Sequence, residues 1–319
     1  MIINTGSRTD IVQYYHKWLL KRFEEEYVLT RNPIYKGNIT KYILTPKNVE
    51  CVEFCSKNYK PILNNLNQIT DKFNTHFQYT ITAYGKDIEP GVPKIDESIN
   101  TLKELEEIVG EKRICLRYDP LLLTKKYTIN TLLKTYEEIA SQLTGHIDRC
   151  IFSFVEMYKK LDKNMPEIIP LTNKDKTKLA KGLGEISKKY NIPIQTCGTE
   201  KNYEEYNIKK SSCINLKTIG DANNITFKEL KHKGCREGCG CFENRDIGAY
   251  DSCPNKCKYC YANKNPNIVD KNYKKHNPNS PLLIGRVKGT DRINEYDIRK
   301  LSYNEKIKYG KLIWKLIGI

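Results

Sequence analysis

The 319-residue sequence predicts an α/β fold: a (β/α) barrel of TIM or partial-barrel type, followed by a cysteine-rich metal-binding extension. Three observations carry this. Short β-rich runs alternate with stretches of helical spacing as far as Cys197, and such alternation builds parallel sheets because parallel neighbours need a crossover. No Gly-x-Gly-x-x-Gly turn follows the first strand, which argues against an open dinucleotide-binding sheet. Beyond Cys197 the long apolar patterns stop and cysteines accumulate.

Taken in order, the predicted strands are MIINT (1–5), TKYILT (40–45), VECVEFC (49–55), HFQYTIT (76–82), RICLRYD (113–119), RCIFSFVE (149–156) and IPIQTC (192–197). Each is rich in Ile, Val, Tyr or Thr and ends in polar or turn residues. Between them, 10–25 places Ile11, Tyr14, Tyr15, Trp18, Leu19 and Phe23 on one helical stripe. Segment 95–110 does the same with Ile99, Leu102, Leu105 and Ile108, and Gly110 is its stop signal. Segments 129–145 and 173–191 follow suit. The expected organisation is a barrel body over 1–197, a cysteine-rich segment completing it over 198–285, and a tail over 286–319 ending in a surface helix near 302–317.

Charged residues make up 29% and hydrophobic ones 39%, a globular balance. No apolar run is long enough to span a bilayer, and the start lacks the pattern of a signal peptide, so a cytoplasmic protein without a membrane partner is expected. In a reducing compartment twelve cysteines point to metal or redox chemistry rather than disulfides. The 54 basic and 38 acidic residues leave +16, which favours a polyanionic partner; yet lysine is spread along the chain without a basic run, as biased coding would also produce.

Seven cysteines fall within 198–263, and three of them, Cys253, Cys257 and Cys260, share the loop DSCPNKCKYCYAN. Thiolates at i, i+4 and i+7 can reach three irons of one cubane, leaving the fourth open to a small molecule. Alternatively, Cys239, Cys241 or His276 could complete a closed zinc site with the same three. Upstream, Cys197, Cys213, Cys239 and Cys241 could supply a second, closed iron–sulfur cluster or a zinc site, with Cys235 spare. Cys51, Cys55, Cys115 and Cys150 lie in apolar strand patterns and are expected to pack as small hydrophobes.

The stretch from Cys253 to Cys260 resembles the Cys-x3-Cys-x-aromatic-Cys signature of radical S-adenosylmethionine (SAM) enzymes, and its continuation YCYAN is similar to the subgroup containing spore photoproduct lyase. The resemblance implies a 4Fe–4S cluster on the three cysteines, with SAM on the open iron. It places Tyr259 beside the adenine and implies an electron donor such as flavodoxin or ferredoxin. In that superfamily the loop follows the first barrel strand, whereas here it follows everything that looks like barrel. The resemblance therefore implies a circularly permuted barrel, with RDIGAY (245–250) as the strand presenting the loop. The superfamily's glycine-rich SAM-contacting motif is not recognisable.

Over roughly 1–285 the chain also resembles an uncharacterised prokaryotic family with such a C-terminal cysteine cluster. That likeness rests on SRTDI (7–11), VLTRNP (28–33), SKN (56–58), YTITAYG with IEP (79–90), RYDPLL (117–122), CGC (239–241), DIGAYDSCPNKCKYCYAN (246–263) and HNPNSPLL (276–283).

These blocks place polar residues at strand ends, which form one mouth in a parallel barrel. Arg8 and Asp10 follow the first strand, Lys57 and Asn58 the third; Thr82 and Tyr84 close the fourth, Arg117 and Asp119 the fifth, and Glu156 the sixth. Arg8 and Arg117 could grip a carboxylate or phosphate, and Asp10 or Asp119 could accept ribose hydroxyls. The alternative is structural: Asp10 as a helix cap and Arg117–Asp119 as an ion pair. The sequence thus points to a radical-SAM enzyme acting on a small molecule or a nucleic acid. A second expectation, from a different class, is a basic nucleic-acid-binding protein with structural zinc or iron–sulfur sites.

Overall fold

The computed structural model describes residues 1–199, 201–228, 232 and 239–303. Along the chain these form β1 (Ile2–Asn4), α1 (Ile11–Tyr14), α2 (His16–Glu24), β2 (Tyr27–Arg31), β3 (Asn38–Ile43), β4 (Cys51–Ser56), α3 (Asn67–Thr70) and β5 (Thr75–Thr80). There follow α4 (Ile95–Val109), β6 (Ile114–Arg117), α5 (Ile129–Leu143), β7 (Arg149–Phe152), α6 (Leu161–Asn164), α7 (Asn173–Lys189) and β8 (Ile194–Thr196). The last are β9 (Ile208–Lys210), α8 (Leu216–Asn223), β10 (Arg245–Asp246), α9 (Pro266–Tyr273) and β11 (Arg292–Glu295).

Eight strands make one parallel sheet in the order β10-β1-β4-β5-β6-β7-β8-β9. Chain order is kept throughout, except that the late strand β10 sits beside β1. The segment 245–246, expected to present the cysteine loop, is thus a strand of this sheet. The sheet is not a closed barrel, however: among the described residues β9 and β10 are its edges and do not pair. Both are two or three residues long, and the described residues between them form α8 and no named strand.

The strands' period of two sorts their side chains. Val52, Phe54, Phe77, Tyr79, Ile114, Leu116, Cys150 and Phe152 join the main apolar core with the helices, and Phe54 stacks on Phe77 at 4.8 Å. The intervening positions carry Cys51, Glu53, His76, Gln78, Cys115, Arg117 and Arg149. Parallel barrels usually fill this face with branched aliphatics. Here a polar network runs across the strands. His76 Nδ1 meets Glu53 at 2.8 Å, Gln78 Nε2 donates to the same carboxylate at 2.5 Å, and Arg149 donates to His76 Nε2 at 3.1 Å. An arginine donating to Nε2 fixes the proton on Nδ1, aimed at Glu53.

Several expectations need correction. The 40–45 segment is not a barrel strand: β3 pairs antiparallel with β2 and parallel with β11 in a separate three-stranded sheet. Part of the expected tail is therefore a strand, while the helix near 302–317 lies almost wholly outside the described residues, as does Cys235. The 10–25 helix is two helices broken at Tyr15. Helix α4 ends where Gly110 takes φ +80°, as its stop signal implied. No described helix is long and apolar enough to cross a membrane.

The small sheet is tied by a bidentate fork: Arg31 Nη1 and Nη2 donate to Asp291 Oδ1 and Oδ2 at 2.7 and 2.8 Å. The Arg31 bond first, then the Lys288 backbone N–H, hold the Asp291 carboxyl at about 2. A depressed carboxyl pKa contributes stability above the unfolded value, and that contribution is lost as pH falls through the folded one. A carboxylate NMR titration should therefore put the Asp291 midpoint near 2. A midpoint at the ordinary 3.8 would mean the fork is not formed.

Candidate metal centre

β10 lies parallel to β1, pairing Ile3 with Arg245 and Asn4 with Asp246, so the chain leaves it at the C-terminal ends of the sheet and runs directly into the three-cysteine loop. The loop closes on itself. Asp251 N donates to Ala262 O at 3.0 Å, Asn263 Nδ2 to Cys253 O at 2.9 Å, and Cys260 N to Cys257 O at 3.1 Å. Asp251 and Lys256 take left-handed backbone angles of +57° and +52° to make the turns.

Two strand-end segments seat it. Lys258 N donates to Ile88 O and Gly91 N to Asn255 O, both at 3.0 Å. Gly91 is required there, since a Cβ would stand 2.6 Å from Asn255 Cα and 2.8 Å from Pro254 O. Asp10 is the second anchor. Its Oδ1 accepts from Gln13 N at 3.0 Å, capping α1, and from Ser56 Oγ at 2.7 Å; its Oδ2 accepts from Lys57 N at 2.9 Å and Asn255 Nδ2 at 3.2 Å. A carboxylate offers about four acceptor positions, so Asp10 is fully engaged in joining α1, β4 and the loop. Burial pushes its pKa up, against the pull of the Lys57, Ser56 and Gln13 donors.

Beneath the loop, Glu89 is 1% exposed and gathers Tyr259 Oη, Lys57 Nζ at 2.9 Å and Thr82 Oγ1 at 2.9 Å. The Lys57 ammonium also stands 6.0 Å from the centre of the Tyr259 ring. Burial works to lower the Lys57 pKa; Glu89 and then Cys257 overcome it, and the net direction is up. Burial drives the Cys253 thiol to about 12, with Asp10 and Cys260 adding. It drives Cys257 well above its usual value, with Glu89 adding and Lys57 opposing. Each of these thiols thus feels another of the three.

The other mouth residues divide. Arg117 gives Nη1 to Gln78 Oε1 at 2.8 Å and Nη2 to Asp119, whose second oxygen accepts from Ser153. That is the structural ion pair rather than an open fork. Arg8 is looser: its Nε is 3.6 Å from Asp246 and its guanidinium 5.4 Å from the Tyr250 ring centre, and no described residue partners its terminal nitrogens. Asn58 shapes a local turn with Ser56 and Lys60, Tyr84 bridges to Pro120 and Leu122, and Glu156 accepts from Tyr158. His276 orders its loop through Leu283 O at 2.8 Å.

Of the second cysteine group, Cys197, Cys213 and Cys241 converge, their sulfurs all within 4.8 Å of one another, and could hold a metal. Cys239, expected with them, lies outside that limit but packs in the same apolar cluster as Cys213 and Cys241. Cys51, Cys115 and Cys150 are buried as expected; Cys55 is half-buried and its thiol is pushed up to about 12 by burial. Glu89, Gly91, Asn255 and Asp246 had no assigned role in the sequence. A lone carboxylate in IEP (88–90) beside a glycine was the available signal for the first two.

No curated protein and no solved structure matches the chain. A family model does match, over residues 2–262, from the first strand of the sheet through the last cysteine of the loop, and the chain accordingly belongs to the family described as a domain of unknown function, DUF1848.

Proposed function

We propose that the protein is a radical-SAM-type iron–sulfur enzyme, with Cys253, Cys257 and Cys260 each ligating one iron of a 4Fe–4S cluster. The observation that carries this reading is the delivery of the three-thiol loop by β10 to the C-terminal strand ends, where Asp10 and Gly91 seat it. The donor set fits the group. Three soft ligands are held in a preformed loop, and two of them, Cys253 and Cys257, are buried enough to resist ionisation and need a cation to become thiolates. These three do not crowd as one ion's ligands do: among the described residues that spacing belongs to Cys197, Cys213 and Cys241. Sulfurs on three different irons stand farther apart.

Bound there, the cluster and SAM supply one-electron cleavage of the sulfonium and hydrogen abstraction from a substrate. The chain supplies the setting. Tyr259, fixed through Glu89, offers an aromatic edge beside the cysteines, and Lys57 compensates negative charge on Cys257 and Glu89. Arg8 is the cation with hydrogen-bonding capacity to spare for a carboxylate or phosphate. A flavodoxin- or ferredoxin-type donor supplies the electron.

The test is anaerobic reconstitution followed by electron paramagnetic resonance with and without SAM, and by assay for 5′-deoxyadenosine after reduction. A reduced cubane signal that changes on adding SAM, together with the nucleoside product, is expected. A reconstituted protein with no cluster, or with one that ignores SAM, would sink the reading.

A further inference from the structure

We propose that Cys197, Cys213 and Cys241, with Cys239 as fourth ligand, hold a single structural ion of the zinc type that fastens the open seam of the sheet. The three sulfurs lie within 4.8 Å of one another, and Cys197 and Cys213 approach to 3.2 Å. Four thiolates bonded at about 2.3 Å around a tetrahedral ion stand roughly 3.8 Å apart, so modest spreading of this cluster accommodates one ion. A cubane, which spaces its ligands over separate irons, would need far more. The expected second iron–sulfur cluster is thus the poorer fit.

The position gives the ion its purpose. Cys197 follows β8, Cys213 follows β9, and Cys241 precedes β10, so the site joins the two sheet edges that carry no ladder between them. The incoming and outgoing chains already touch, with Phe242 N donating to Ile214 O at 3.1 Å. Ile214 N reaches the Cys241 sulfur at 3.5 Å, the kind of amide contact that orients a metal-bound thiolate. Cys239 is one glycine from Cys241, and a Cβ placed on Gly240 would stand 3.6 Å from the side chain of Ser212, next to Cys213. Compensating charge is at hand: the half-buried Arg117 has the Cys213 and Cys197 thiols among its charge neighbours, and among the described residues its Nε has no hydrogen-bond partner. A thiolate-rich site would satisfy both.

The test separates this site from the cluster loop. A variant with Cys253→Ser, Cys257→Ser and Cys260→Ser, purified in air, should retain one equivalent of zinc, and X-ray absorption at the zinc edge should show four sulfurs near about 2.3 Å. Adding Cys213→Ser should cut bound zinc about tenfold or more. Should that variant fail to fold, the absorption spectrum of the first still decides. Iron with sulfide in the triple variant would overturn the inference. So would a Cys197–Cys213 disulfide in metal-free protein, or a first shell of nitrogen and oxygen. None of these outcomes bears on whether Cys253, Cys257 and Cys260 bind a cluster.

Discussion

Serine in place of Cys257 is expected to reduce 5′-deoxyadenosine formation to the level of cluster-free protein, a loss of at least about 100-fold, since even outer partners of a metal site are worth 10–100-fold. Cys257 has the Glu89 carboxylate and the Lys57 ammonium as charge neighbours, together with Cys260 and Cys253. A serine hydroxyl there is a hard, weakly acidic ligand where a soft thiolate is required. Iron and sulfide content and the reduced resonance signal should fall together with activity. Cys150→Ala, in the helix-facing core, should keep the cluster. Full iron and undiminished SAM cleavage in Cys257→Ser would show that this cysteine is not a ligand.

The largest stability effect is expected at Asp10. Truncation to alanine orphans three donors at once, Gln13 N, Lys57 N and Asn255 Nδ2, and leaves Ser56 Oγ only Asn58 O at 3.1 Å. Each buried, unpaired donor costs about 1–3 kcal/mol; with relaxation the sum should be about 3–5 kcal/mol, against a typical total stability of about 5–15 kcal/mol. Asp10→Asn keeps one acceptor oxygen and should cost less, about 1–3 kcal/mol. Denaturant unfolding of the two variants would check both values and their order. If both unfold within about 0.5 kcal/mol of the parent, Asp10 does not join α1, β4 and the loop as its hydrogen bonds imply.

Much of this arrangement was legible in the residues. Alternating apolar strands and amphipathic helices gave the parallel sheet, because both periodicities are written in the choice of side chain. RDIGAY was read as a strand, and its first and second residues, Arg245 and Asp246, form β10 beside β1. Closure was not legible, since the two edge strands are too short to show alternation: Ile208–Lys210 is one apolar residue followed by two exposed lysines. The 40–45 segment misled because TKYILT has strand composition whichever sheet receives it. At the site, the cysteines announced themselves by spacing. Asp10 and Arg117 stand at C-terminal strand ends, but sequence alone could not show that the acceptor positions of Asp10 are filled by Ser56 and Asn255 among others, or that Arg117 turns its terminal nitrogens to Gln78 and Asp119. Such saturation depends on partners from separate strands, which no local pattern encodes.

The pairing of β10 with β1 sets an order of events during synthesis. Asp10, Lys57, Glu89 and Gly91, which receive the loop, all emerge from the ribosome more than a hundred residues before Cys253. At about 5–20 residues per second, the first strands and their helices have seconds in which to collapse before the cysteines appear. The cysteines therefore arrive at a seat that exists already. On the proposed reading, loading of iron becomes the last act of maturation, performed on a nearly finished protein, and β1 keeps one unpaired edge until β10 is delivered.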